Sequence, residues 1–175
     1  SIDDMRDSVR YETWLRPVLN RLKQIDGRAP VSIFANSFDV TNAQLQPWLK
    51  EGLSIEVHTL THPCPFFAKS NFVTSAETYF GCLDLLSRIT NGAPVAFRMP
   101  CCDSINSPSP RFYAELFNKP SPGKNFLQID SSVMNILSAQ DQALPHELVV
   151  DSDGKDRFRK YLPFPSFTTT IENYP

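Results

Sequence analysis

Short apolar runs alternate with helical patterns along the first 130 residues, and this alternation constrains the fold more than any other feature. Val31-Ser32-Ile33-Phe34-Ala35-Asn36, Ser54-Ile55-Glu56-Val57-His58, Pro94-Val95-Ala96-Phe97-Arg98 and Phe126-Leu127-Gln128-Ile129 read as strands. Ile2 reads as the last residue of a further strand. Between the strands lie apolar residues at three- and four-residue spacing. Met5 to Ile25 carries Val9, Leu15, Val18, Leu19, Leu22 and Ile25 on one face, with Pro17 expected to kink the helix or divide it. Leu45 to Lys50 and a helix from Ser109-Pro110 to about Asn118 are shorter. The clearest helix has Ser70-Asn71 as its cap, a stripe from Phe72 to Ile89, and Asn91-Gly92 at its end. Strand–helix units of roughly 30–40 residues favour parallel strands joined by crossover helices, an α/β fold. The pattern alone fits both an open sheet and a barrel. After Asp130 only Leu148-Val149-Val150 suggests another strand.

Length and charge narrow the class further. The chain has 175 residues, enough for one domain, with 41% hydrophobic and 21% charged residues. Lys plus Arg number 17 and Asp plus Glu 19, a formal net charge of −2 without a basic run. This excludes an electrostatic footprint for nucleic acid. No apolar stretch approaches the roughly 20 residues of a transmembrane helix. The 15 prolines belong in connections and at element ends, so several long structured loops are expected. The chain opens without an initiator Met and closes without a terminal signal, which reads as an incomplete single domain lacking residues at both ends. The four cysteines, Cys64, Cys82, Cys101 and Cys102, are too few and too irregular for a disulfide framework. Cys82 reads as a small buried hydrophobe, and the vicinal pair Cys101-Cys102 as loop filler or a redox pair.

Ionisable residues stand where strands end: Asp3-Asp4 after Ile2, His58 after Val57, Arg98 after Phe97 and Asp130 after Ile129. In parallel α/β folds these ends converge on one face, where ligands bind. His58 and His62 lie five residues apart inclusively in His58-Thr59-Leu60-Thr61-His62, and only three histidines exist in the chain. Two imidazoles and a carboxylate make a three-ligand metal site with an open position; the plain alternative is two unrelated loop histidines. Asp3 and Asp4 read either as a helix N-terminal signature or as a metal ligand beside a proton acceptor. Arg98, among Phe97, Met99 and Pro100, is either a surface cation or a partly buried one needing a carboxylate.

Ile2-Asp3-Asp4, His58-Thr59-Leu60-Thr61-His62 and Arg98-Met99-Pro100, in that order, resemble the first three motifs of NodB-type polysaccharide deacetylases, carbohydrate esterase family 4: T-F-D-D, H-[S/T]-x-x-H and R-x-P. Asp130-Ser131-Ser132 is similar to a D-S-S segment of the same superfamily. The resemblance covers about residues 1 to 132, and 133–175 is a Pro- and Phe-rich continuation. It implies part of an irregular (β/α)7 barrel with parallel strands, truncated at both ends. It implies a divalent metal, commonly zinc, held by Asp4, His58 and His62, with Asp3 as catalytic base, Arg98 holding that base, and Asp130 orienting Arg98. The implied reaction removes acetyl groups from a polysaccharide or related carbohydrate, water activated by the metal attacking the acetyl carbonyl. Alternatives are hydrolysis of a non-sugar cyclic amide and an inactive glycan-binding module.

Three departures from the pattern stand out. Cys101-Cys102 replaces the aromatic and Gly after the motif Pro, and the first motif lacks its usual Gly. Leu144-Pro145-His146 matches the family's final L-x-H tripeptide but comes 16 residues after Asp130, so the general acid is expected beyond residue 175. Phe164-Pro165-Ser166-Phe167 reads as a packing loop or a wall for sugar stacking. Secretion or periplasmic export fits such a substrate, as an implication of the resemblance only.

Overall fold

A computed structural model of the chain describes residues 1–64, 66, 72–101, 110–132 and 149–161. The Ser70-Asn71 cap, Cys102, Leu144-Pro145-His146 and the Phe164–Phe167 segment lie outside the described residues. Among the described residues five strands, β1 (Ile2–Met5), β2 (Ser32–Ala35), β3 (Ser54–Val57), β4 (Ala96–Phe97) and β5 (Ile129–Asp130), form one sheet in the order β1-β2-β3-β4-β5. Every neighbouring pair is parallel. The order never reverses, so each crossover steps the same way. That is the winding of a barrel wall rather than of a doubly wound sheet.

Helices α1 (Ser8–Asp26), α2 (Leu45–Glu51), α3 (Phe72–Leu86) and α4 (Pro110–Phe112) make the crossovers, α4 running into a π-helical turn at Tyr113–Phe117. Alternate strand residues Ile33, Ala35, Ile55 and Val57 bury against Leu19, Trp48, Tyr79 and Leu83 in one hydrophobic core. The opposite face of the strands, carrying Phe34 and Glu56, is buried as well, as expected for a parallel sheet. No helix among the described residues is long and apolar enough to cross a membrane.

Several boundaries differ from the sequence reading. Helix α1 is continuous through Pro17, and Asp7 caps it by accepting from Val9 N and Arg10 N. Met5 belongs to β1, which contains Asp3 and Asp4 instead of ending at Ile2. Apolar periodicity assigned Met5 to the helix, but its fully buried side chain serves the sheet face equally well. Strand β5 starts at Ile129, not Phe126, because Gln128 N and Ile129 N both donate to the one carbonyl of Val95 and the ladder begins only there. Val150 forms an isolated antiparallel bridge with Asp156 instead of a strand of the sheet.

Strand β4 is too short to satisfy its own entry. Glu56, buried in β3, closes the gap: its Oε2 accepts from Val95 N and Ala96 N, each at 2.8 Å. Glu56→Ala leaves both N–H groups without that acceptor and is expected to cost about 2–3 kcal/mol. Glu56→Gln, which keeps a carbonyl oxygen, is expected to cost less; urea denaturation of both variants checks the order.

Candidate metal centre

The carboxylates of Asp3 and Asp4 come from a β-bulge. Ile2 pairs with Ile33 and Met5 with Ala35, so three steps along β1 match two along β2. The extra residue is absorbed at Asp4, whose φ is 66°, a left-handed value that Asp tolerates better than most residues. In an unbroken strand, adjacent side chains face opposite sides. Here Asp3 reaches Arg98 and Asp4 reaches the histidines.

The histidine loop leaves β3 directly. His58 N donates to Ala35 O (3.1 Å), extending the ladder by one residue. Asn36, buried at the end of β2, receives the two following carbonyls on its side chain: Nδ2 donates to His58 O (3.0 Å) and Thr59 O (2.9 Å). Its own N–H donates to Met5 O (3.1 Å), so one residue joins the ends of β1, β2 and β3. Thr59 Oγ1 accepts His62 N–H (3.2 Å), and Thr78 of α3 bonds both the N–H and the hydroxyl of Thr61. Gly81 of α3 makes room for this loop, since a Cβ there would stand 2.5 Å from Leu60 Cδ1. Of the six described non-glycine residues with positive φ, four are at this end: Asp4, Thr59, His62 and Cys101. Thr59 is β-branched, for which such a φ is costly, and backbone strain of this kind concentrates at functional sites.

These devices bring three donor atoms together. His62 Nε2 lies 2.9 Å from Asp4 Oδ1 and His58 Nε2 lies 3.6 Å from it. One ligand atom each from Asp4, His58 and His62 lies within 4.8 Å of the others. The imidazole rings are 5.0 Å apart at 60°. Two ligands of a tetrahedral zinc, each at about 2.0–2.1 Å, stand about 3.3 Å apart, so the spacing suits a shared small cation. His58 is 1% exposed and Asp4 54% exposed, which leaves the cluster open on the carboxylate side.

The tautomer of His58 follows from its partner. Nδ1 is 2.8 Å from the carbonyl of Arg98, which can only accept, so the ring proton sits on Nδ1 and Nε2 presents a lone pair. Burial lowers the His58 pKa below the ordinary value; the Arg98 carbonyl and the nearby Asp3 and Asp4 carboxylates oppose this, and His62 adds to it. The ring is therefore neutral at pH 7, the form a metal requires.

Arg98 has Nη1 2.8 Å from Asp3 Oδ1 and 2.9 Å from Ser1 Oγ, and its guanidinium lies 4.1 Å from the centre of the Phe34 ring. Among the described contacts the Asp130 carboxylate accepts from Tyr113 and Ser132, not from Arg98 directly.

The cysteines also depart from expectation. Cys64 and Cys101 form a disulfide with Cα atoms 5.8 Å apart, joining the loop after His62 to the loop after Pro100. Their separation of 37 residues hides the pair from any short-range motif. Cys82 is the buried hydrophobe expected; burial pushes its thiol up to about 12. Asn36 and Thr78 were not singled out from sequence. Asn36 had a signal, being a polar residue at a strand end like His58 and Arg98, whereas Thr78 had none.

Two measurements check this description. A folded-state His58 pKa below the unfolded value of about 6.5 means that acidification protonates the unfolded chain first. Stability of the metal-free protein is thus expected to fall as pH drops through about 6.5, and His58→Gln to flatten that slope in urea titrations with chelator present. Replacing Cys64 and Cys101 by Ser is expected to lower stability by about 3–4 kcal/mol on loop-closure grounds, read by the same denaturation.

No family model and no curated protein matches the chain. Among solved structures it is similar to a family 4 carbohydrate esterase from Streptomyces lividans in complex with acetate, at 21% identity and a TM-score of 0.43, over 57% of this chain and 48% of that one. It is also similar to the peptidoglycan deacetylase PdaC from Bacillus subtilis, at 19% identity and a TM-score of 0.45, over 73% of this chain and 55% of that one. A mutant of PdaC gives 18% identity and a TM-score of 0.46 over the same shares. The chain thus spans about half the length of the solved chains it matches.

Proposed function

We propose that this chain carries the metal-binding face of a hydrolase that removes acetyl groups from a polysaccharide or related carbohydrate. One observation carries the metal-binding half of this reading. His58 Nε2 lies 3.6 Å from Asp4 Oδ1, with no proton between them once Nδ1 holds the ring hydrogen. Two electron-rich atoms held so by the fold fit a cation between them. Asp4, His58 and His62 would hold it, and the mixed nitrogen and oxygen donor set suits zinc. A divalent ion bound there would supply Lewis acidity toward an acyl oxygen and toward water.

The remaining groups have roles set by their contacts. Asp3 is the base, its Oδ1 fixed by the Arg98 guanidinium so that the carboxylate stays beside the cluster. It takes the proton of the attacking water as oxygen adds to the acetyl carbon, and a general acid then protonates the sugar amine or alcohol as its bond to that carbon breaks and acetate leaves. Arg98, stacked on Phe34 and tied to Val57 O through its N–H, is held at both ends and keeps Asp3 from turning away. The choice of an acetylated carbohydrate rests on the ordered motif trio of Asp3-Asp4, His58 to His62 and Arg98-Met99-Pro100. The Cys64–Cys101 disulfide fits an oxidising compartment, where such polymers are found.

Acetate release from chitin oligomers and acetylxylan by the intact protein tests the proposal. Activity is expected to vanish with chelator and return with zinc. Asp3→Asn is expected to lower turnover by about 10²–10⁴-fold while zinc still binds. Cleavage of small cyclic amides without acetate release would favour the other hydrolase reading. Glycan binding without any hydrolysis would overturn the enzymatic one.

A further inference from the structure

A hydrogen-bonded chain runs from His58 to the far side of β5, and it passes through a single peptide. The carbonyl of Arg98 accepts His58 Nδ1–H (2.8 Å), and the N–H of that same peptide unit, on Met99, donates to Ser132 Oγ (2.8 Å). Ser132 Oγ donates in turn to Asp130 Oδ1 (2.6 Å), which also accepts Ser132 N–H (2.9 Å). The other oxygen of Asp130 accepts the Tyr113 hydroxyl (2.6 Å) from the π-helical turn. Burial first, and the Asp130 carboxylate second, push the Tyr113 hydroxyl well above its usual range, so it remains a donor.

We propose that Ser132, anchored by Asp130 and Tyr113, is a positioning residue for His58, holding the Arg98–Met99 peptide that orients the imidazole; this rests on the metal-binding reading above. The ladder cannot fix that peptide alone. Strand β4 has two residues, and two residues past Met99 the backbone turns left-handed at Cys101 (φ 75°). Ser131 adds a second tie one residue earlier, its N–H donating to Phe97 O (2.8 Å). Hydrogen bonds in series also polarise one another. The carboxylate makes Ser132 Oγ a better acceptor for Met99 N–H. This makes the Arg98 carbonyl a better acceptor for His58 Nδ1–H, and Nε2 a stronger ligand. Asp130 thereby serves the backbone of Arg98 rather than its guanidinium.

The test compares zinc affinity, by competition with a chromophoric chelator, with the NMR signal of His58 Nδ1–H in the metal-free protein. Ser132→Ala is expected to weaken zinc binding by about 10–100-fold and to shift that proton or lose it to exchange. Ser132→Thr, which keeps the hydroxyl, is expected to restore both. If Ser132→Ala lowers the melting temperature but leaves zinc affinity and the Nδ1–H signal unchanged, the role is structural and the inference is overturned, while the metal-binding reading survives. If the unaltered protein binds no zinc at this site, the metal-binding reading itself fails and takes the inference with it. Should Ser132→Ala not fold, Tyr113→Phe decides: weaker zinc binding with a shifted Nδ1–H supports the chain, and no change in either overturns it.

Discussion

At the carboxyl end of this sheet the fold presses an imidazole lone pair and a carboxylate oxygen toward each other, 3.6 Å apart, with His62 2.9 Å from the same oxygen. His62 can donate to that oxygen, but His58 Nε2 and Asp4 Oδ1 are both acceptors once Nδ1 holds the ring proton, and that pairing is unfavourable by itself. It persists because the surrounding backbone determines it from three sides. Asn36 holds the carbonyls of His58 and Thr59, the Arg98 carbonyl holds the ring, and the β1 bulge turns Asp4 inward. The left-handed backbone at Asp4, Thr59 and His62 is the local cost of that placement. Burial of His58 adds to it by keeping the ring neutral. A positive ion between the two acceptors would turn their repulsion into an attraction.

The winding of the sheet explains why so few residues suffice. With strands in consecutive order and all parallel, the ends of β1, β3 and β4 open on one side, and each delivers a different group. Acid comes from β1, imidazole from β3 and guanidinium from β4. The Cys64–Cys101 disulfide then links two of the loops that leave this edge. Arg98 takes part twice, with its side chain on Asp3 and its carbonyl on His58. A disturbance at the end of β4 is therefore felt by Asp3 and by His58 together.

Much of this was legible in the chain, for identifiable reasons. Strand–helix alternation encodes parallel α/β packing, because the strands bury both faces and the helices cover them. Polar residues ending apolar runs marked His58, Arg98 and Asp130, and close spacing marked His62. What was lost was non-local or lay below the resolution of periodicity. Asn36 carried the same strand-end signal but read as the end of a strand, because an amide has no acid–base chemistry to attract notice. Met5 fits a helix face and a sheet face equally, so periodicity alone ends β1 too soon. The resemblance gives Asp130 the role of orienting Arg98; in the structure Tyr113, 17 residues away, donates to that carboxylate, and no local pattern foretells the contact. The disulfide joins cysteines whose proximity exists only once β3 and β4 are side by side.

The central claim is that Asp4, His58 and His62 share one metal ion. Anomalous diffraction at the zinc edge, from crystals of the intact protein carrying one equivalent of zinc, tests it directly. The account predicts a single peak bonded to both Nε2 atoms and to an Asp4 oxygen, at about 2.0–2.2 Å each. A peak elsewhere, or one that touches only one of the two imidazoles, contradicts it.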